Sequence, residues 1–254
     1  MKKEKLIIIC MDGLDPDYIS ELKHSMPYEK KLTIPRSLYY GNKPHTMNIW
    51  GSMFAGKEKP HPKFQVSETV KNRFRFRKIL HKLGIKWHRD GWNIKKERET
   101  HVGSGSGKVH NAHVDYKETI FSQYHSFIFD IPGVVDGFIL GGSLKQVNQN
   151  YKLFKILLNC LTLSSYELLA IYTHQPDIQS HMELNCDSIY KEGFFIAKDL
   201  ARDNKVILLS DHGCSPYTHN HTDYAYIGTN FPFEATTVLD VKNVIQSIME
   251  QKEE

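Results

Sequence analysis

Little in this chain points to a secreted or membrane-embedded protein. Of 254 residues only four are cysteine (Cys10, Cys160, Cys186 and Cys214), and no two stand in a C-x-x-C spacing. A chain of this length does not need crosslinks to hold a core, so the four are expected to be reduced thiols rather than a disulfide framework. No apolar run approaches the ~20 residues that cross a bilayer. The chain opens on Lys2, Lys3 and Lys5, and the apolar run that follows, Leu6 to Met11, is too short for the core of a secretion signal. A cytoplasmic protein without membrane association is the expectation. Charge of one sign is scarce too: 33 Lys and Arg against 29 Asp and Glu leave a net +4. That excess favours an anionic substrate but is too small to imply nucleic acid by itself. No internal repeat is visible, and no phosphate loop. The glycine-serine tract Gly103-Ser104-Gly105-Ser106-Gly107-Lys108 has Val102 where a Walker-type loop needs glycine, and Val109 where it needs serine or threonine.

What the chain does have is a series of short apolar runs that stop at polar turns. Leu6–Met11 stops at Asp12-Gly13, and residues 127–129 stop at Asp130-Ile131-Pro132-Gly133. Residues 168–172 stop at Thr173-His174-Gln175-Pro176-Asp177, and 206–209 at Ser210-Asp211-His212-Gly213. Short runs rich in Ile, Leu and Val read as strands buried on both faces. Helix-like stretches lie between them at 17–24, 70–83, 144–163, 188–201 and 241–251. The alternation predicts an α/β fold: one domain over 1–254 with a central, mostly parallel sheet flanked by helices. Residues 87–124 are the least regular and are expected to form a loop or small cap insertion at the site mouth, not a second domain.

In such sheets ligands gather beyond the carboxyl ends of the strands, where Asp12, Asp177 and the Asp211-His212 pair fall. Asp177 and His181 stand at i and i+4, on one face of a helical turn, with Pro176 suited to the helix entry. Fourteen histidines raise the prior for a metal site without locating it. His219 and His221 both follow the Ser210–Gly213 tetrad, and either can complete a three-ligand set with Asp177 and His181. Thr46 is a candidate nucleophile, activated by coordination, or else the cap of a helix over 47–54; the two roles are compatible, because a helix N-terminus also offers N–H groups to an anion. Asp12, Thr46, Asp177, His181, Asp211, His212 and His221 thus lie in an order that suits two divalent cations handling a phosphoryl group. Asp and His donors without Cys suit zinc, manganese or iron better than calcium or magnesium.

These segments resemble the alkaline phosphatase superfamily in its type I phosphodiesterase/nucleotide pyrophosphatase branch. The matching stretches are Ile7-Ile8-Ile9-Cys10-Met11-Asp12-Gly13-Leu14-Asp15, Thr46 to Lys57, Pro176-Asp177 with His181, Ser210-Asp211-His212-Gly213, and His221-Thr222 ahead of Ala225-Tyr226-Ile227-Gly228. Asp130-Ile131-Pro132-Gly133 and Asp136-Gly137-Phe138 look like a family loop between them. The resemblance implies one metal ion, zinc or manganese, on Asp12, Thr46, Asp211 and His212, and another on Asp177, His181 and His221. It further implies a phosphodiesterase in which Thr46 attacks phosphorus and forms a covalent phospho-threonine, acting on a small phosphate ester such as a nucleotide.

The chain also departs from the family pattern. Relatives carry a proline and an asparagine close after the nucleophile, where Met47, Asn48 and Ile49 stand here, while Trp50 keeps the aromatic position. An asparagine expected some twenty residues further on is replaced near there by Ser67, which leaves Asn48 as the candidate for holding a phosphate oxygen. The chain is shorter than most relatives. A phosphomonoesterase or phosphate mutase of the same superfamily is the alternative enzyme. The alternative from another class is a nucleic-acid-binding protein with a vestigial site, drawn from the basic stretch 71–96 with Phe74, Phe76, Trp87 and Trp92. An amphipathic helix packing Phe76, Ile79, Leu80 and Leu83 is the favoured reading of that stretch.

Overall fold

The run Leu6–Met11 becomes the middle of the molecule. In the computed structural model, which describes residues 4–60, 109–110, 112–136, 138–139 and 144–251, it forms strand β1 with every side chain buried. The other elements follow as α1 (Pro16–Glu21), β2 (Tyr28–Thr33), the small hairpin β3 (Tyr39–Tyr40) and β4 (Lys43–Pro44), α2 (Thr46–Ala55), β5 (Val109–His110), β6 (Ser126–Phe129) and β7 (Phe138–Ile139). Then come α3 (Leu144–Leu161), β8 (Leu168–Thr173), α4 (Gln175–His181), α5 (Asp187–Leu200), β9 (Lys205–Ser210), β10 (Tyr224–Thr229) and α6 (Val241–Glu250).

Six strands form one sheet in the order β2-β10-β9-β1-β8-β6. β6, β8, β1 and β9 run parallel, and β10 pairs antiparallel with both β9 and β2. The α/β class with a mostly parallel central sheet flanked by helices is therefore present. Side chains alternate across a strand, and β1 divides the core accordingly. Leu6, Ile8 and Cys10 join α2 (Ile49, Trp50, Met53, Phe54) and α6 (Val244, Ile245, Ile248) on one face. Ile7, Ile9 and Met11 join α3 (Tyr151, Phe154, Leu158) and α5 (Ile189, Tyr190, Phe194) on the other. Helix α5 comes close to the end of β1 because residue 193 is glycine: a Cβ there would sit 2.5 Å from Met11 Sδ.

The expected helix over 17–24 ends at Glu21, and Lys23 just beyond has φ 55, a left-handed conformation that stops the helix. Of the stretch 87–124, residues 109–110 and 112–124 are described, and the latter carry Ile120 and Phe121 into the core, with the Phe121 ring 4.7 Å from that of Phe54. Ser67, the helix expected over 70–83, the basic stretch 71–96 and the tract 103–108 lie outside the described residues. Among the described residues no helix is long and apolar enough to cross a membrane.

Candidate metal centre

The carboxyl ends of β1, β8 and β9 open onto one spot. Asp12 follows β1, and its N–H donates to Thr173 O at the end of β8, while Asp177 N–H donates back to Asp12 O. The chain turns here at Gly13, whose φ of +78 suits glycine; an added Cβ would also lie 2.8 Å from Asp177 Cα. The turn after β9 is tied to the turn after β1. Gly13 and Gly213 form a parallel bridge, Leu14 N–H donates to Ser210 Oγ, and that hydroxyl donates to His212 O. From the α5 side, Tyr190 OH donates to Gly13 O and accepts from Asp15 N–H.

On this frame the seven side chains singled out in the sequence come together in two sets. In the first, His212 Nε2 lies 3.3 Å from Asp12 Oδ1, 3.3 Å from Asp211 Oδ2 and 3.1 Å from Thr46 Oγ1. Thr46 is 5% exposed and is the first residue of α2; His45 holds the cap position with no side-chain capping bond. Thr46 therefore directs its hydroxyl at the cluster instead of capping the helix. In the second set, Asp177 Oδ1 lies 3.3 Å from His181 Nε2 and 3.5 Å from His221 Nε2, and the two Nε2 atoms are 3.0 Å apart. The His212 and His221 rings stack at 3.9 Å between centroids, so the sets adjoin. The choice between His219 and His221 falls to His221. His219 instead donates from Nδ1 to Ser180 O, and its own carbonyl accepts from His181. Asn48 is fully buried and its amide donates to Leu38 O at 3.3 Å, a bond to the main chain.

Two observations test whether a cation fits. First, Asp12 Oδ1, Asp177 Oδ1 and both oxygens of Asp211 are buried without a hydrogen-bond partner, which is costly for a carboxylate unless something positive meets it. Second, the three imidazoles are held by main-chain carbonyls: His212 Nδ1 by Gly213 O, His181 Nδ1 by His219 O and His221 Nδ1 by Pro44 O, each at 3.1 Å. A carbonyl only accepts, so each Nδ1 carries a hydrogen, and the neutral form of each ring turns an Nε2 lone pair inward. Lone pairs facing carboxylate oxygens and one another at 3.0–3.5 Å repel. Tetrahedral donors about 2.0–2.1 Å from a common ion would lie about 3.3 Å apart. The donor set fits divalent cations.

Charge is unevenly shared between the sets: burial lowers His181, but Asp177 beside it prevails and raises it above the usual imidazole value. Burial, followed by the Asp12 carboxylate, pushes Asp211 well above the usual carboxylate range, and burial raises Asp12 against the pull of His174. Burial pushes Asp177 up, but His181 and His174 beside it prevail and hold it well below that range. Burial and then His221 hold His212 well below the usual imidazole value, which keeps it neutral. Three carboxylates packed this closely away from water do not all ionise without added positive charge.

Three neighbours were not singled out from the sequence as site residues. His174 Nε2 lies 3.3 Å from Asp12 Oδ2 and 3.1 Å from Asp177 Oδ2, linking one carboxylate of each set, and Tyr172 OH donates to Asp12 Oδ2 at 2.5 Å. Cys214 stands with Asp177 and His181 as a possible donor group. All three lie close to the quoted motifs, but nothing in their spacing sets them apart from ordinary strand-end or turn residues.

No protein-family model matches this chain. No curated protein matches it either. Among solved structures, it is similar to an alkaline phosphatase from the Antarctic bacterium TAB5, with 11% identity, 98% of this chain and 99% of that one covered, and a TM-score of 0.49. A second is the PH0037 protein from Pyrococcus horikoshii, with 10% identity, 99% and 98% covered, and a TM-score of 0.48. A mutant of the TAB5 alkaline phosphatase with Mg bound gives 10% identity, the same coverage as the first, and a TM-score of 0.49. Likeness at this level adds no weight to the reading of the site.

Proposed function

We propose that this protein is a metal-dependent phosphoric ester hydrolase of the alkaline phosphatase type, with Thr46 as its nucleophile. The observation that carries the reading is the set of unpartnered, buried oxygens of Asp12, Asp177 and Asp211, which face inward-turned Nε2 atoms beside the Thr46 hydroxyl. Asp12, Asp211, His212 and Thr46 would hold one divalent cation, zinc or manganese, and Asp177, His181 and His221 the other. Such a pair supplies positive charge to the phosphoryl oxygens and favours the ionised form of a bound hydroxyl.

The remaining work falls to the chain itself. Thr46 sits at the start of a ten-residue helix whose end has no side-chain cap, so the partial positive charge of that terminus favours an anionic ester beside the hydroxyl. The Thr46 oxygen gives up its proton to solvent and bonds phosphorus as the ester oxygen leaves and takes up a proton; water then cleaves the phospho-threonine, its hydroxyl going to phosphorus and its proton to the Thr46 oxygen. The Pro44, Gly213 and His219 carbonyls fix the three imidazoles throughout, so no donor has to be oriented during the reaction. We take a phosphate diester of a nucleotide or similar small molecule as the substrate, on the strength of the motif resemblance. Phosphomonoester hydrolysis or phosphoryl transfer is the second reading, supported by the same cluster.

The test compares turnover of a chromogenic bis-aryl phosphate and an aryl monophosphate, with added zinc or manganese. Faster diester turnover is expected, with Thr46→Ala lowering it by about 10²-fold or more. Acid quenching should trap an aryl phosphate on Thr46 from the diester, or phosphate from the monoester, read by mass spectrometry. Metal-loaded protein inert toward both esters would overturn the proposal, and a monoester preference would move it to the second reading.

A further inference from the structure

The second donor set has a neighbour of a different chemical kind. Cys214 follows the turn after β9, is 1% exposed, and has its N–H fixed to Gly13 O. It pairs with His221 across an antiparallel bridge, closed further by Ser215 N–H to Asn220 O and Thr222 N–H to Gly213 O. Residues directly opposite in an antiparallel pair project to the same side, their Cβ atoms roughly 4.5–5.5 Å apart. The hairpin that delivers His221 to the cluster therefore delivers Cys214 with it. Cys214 Sγ lies 4.0 Å from His181 Nε2, and donor atoms of Asp177, His181 and Cys214 all fall within 4.8 Å of one another. Independently, Asp177 Oδ1 is buried here without a partner, on a residue only 4% exposed.

Around one zinc ion, with sulfur at about 2.3 Å and nitrogen or oxygen at about 2.0–2.1 Å, tetrahedral edges are roughly 3.6 Å to sulfur and 3.3 Å otherwise. The observed separations of 3.0, 3.3 and 3.5 Å among Asp177, His181 and His221, and 4.0 Å between His181 and Cys214, approach those edges to within about half an ångström.

We propose that Cys214 is a fourth donor to the second cation, completing an Asp177-His181-His221-Cys214 set. The ion's existence rests on the reading in the preceding section; the thiolate is new and changes which ion the set prefers. On binding, the S–H bond breaks, its proton passes to solvent, and the sulfur lone pair forms the bond to the metal. A soft thiolate favours zinc over manganese and magnesium, which prefer oxygen donors. The expectation of a set without cysteine is thereby revised.

The full-length protein loaded with cobalt(II) alone tests this. Thiolate-to-cobalt charge transfer is expected as a near-ultraviolet band in the wild type. Cys214→Ser should lose that band while keeping the visible bands of cobalt on nitrogen and oxygen donors. Since even outer-shell changes cost tenfold or more, Cys214→Ser should weaken zinc at this set by at least about tenfold and manganese far less. X-ray absorption of the zinc-loaded wild type gives the same answer if the variant does not fold. One sulfur at about 2.3 Å is expected, and among the described residues no other cysteine stands in a donor group. Cobalt or zinc bound without any sulfur signal overturns the thiolate and leaves the hydrolase reading intact. Failure to bind either metal overturns both.

Discussion

Asp130 ends β6 in the left-handed region, φ 58, where Asp and Asn are the tolerated non-glycine residues. Burial pushes its carboxyl up to about 6 from an ordinary 3.8, with His174 pulling the other way. A carboxyl raised on folding favours the protonated native state, so its contribution is complete below pH 3.8 and is lost as pH rises through about 6. Asp130→Asn keeps the shape and the backbone preference. In metal-free protein it should raise unfolding free energy above pH 6 by about 1–2 kcal/mol and leave it unchanged near pH 4, read from denaturant curves at both values. At this scale much of the site was visible beforehand. Asp177 and His181 declared themselves by the i, i+4 spacing and Asp12 by its place at a strand end. His219 and His221 could not be separated by spacing, because the choice depends on which ring a carbonyl turns inward.

The single 3-10 turn Val238–Asp240 that leads into α6 shows the same logic for an element. Asp240 accepts from the N–H and hydroxyl groups of Thr236 and Thr237, and the Thr237 hydroxyl accepts from Leu239 N–H in a reciprocal cap. Burial pushes the Asp240 carboxyl up, but the Thr236 and Thr237 hydrogen bonds outweigh it and bring it below its ordinary value. A depressed carboxyl contributes stability above pH 3.8 that is lost as pH falls through the lower folded value. Asp240→Ala should therefore cost about 0.5–2 kcal/mol at pH 7 and much less near pH 2, measured by denaturation. The elements themselves were unevenly legible. β1 and β8 are covered by helices on both sides, so their sequences are continuous apolar runs. β2 reads Tyr-Glu-Lys-Lys-Leu-Thr with only Leu32 buried, and an edge strand with one core residue leaves no such run. Cys214 was unreadable because its proximity to His181 arises from hairpin pairing, which spacing along the chain does not reveal.

For the whole molecule, ions that bind the folded chain and not the unfolded one must raise its stability. Zinc at 100 times its dissociation constant should add about 2.7 kcal/mol, or roughly 5–10 °C in Tm for a chain of this size. Asp177→Asn, which neutralises the carboxylate of the second set, should remove that set's share of the shift, and a chelator should reverse the whole of it in the wild type. Thermal melts with and without zinc check this; equal shifts in both proteins would count against Asp177 as a donor.

The three imidazoles are clamped by main-chain carbonyls, two from the loop between β9 and β10 and one from β4. Capture of the metal then asks almost nothing of the polypeptide. Its speed should follow how readily each ion sheds its water shell, and the empty and filled forms should be near-superimposable around these rings.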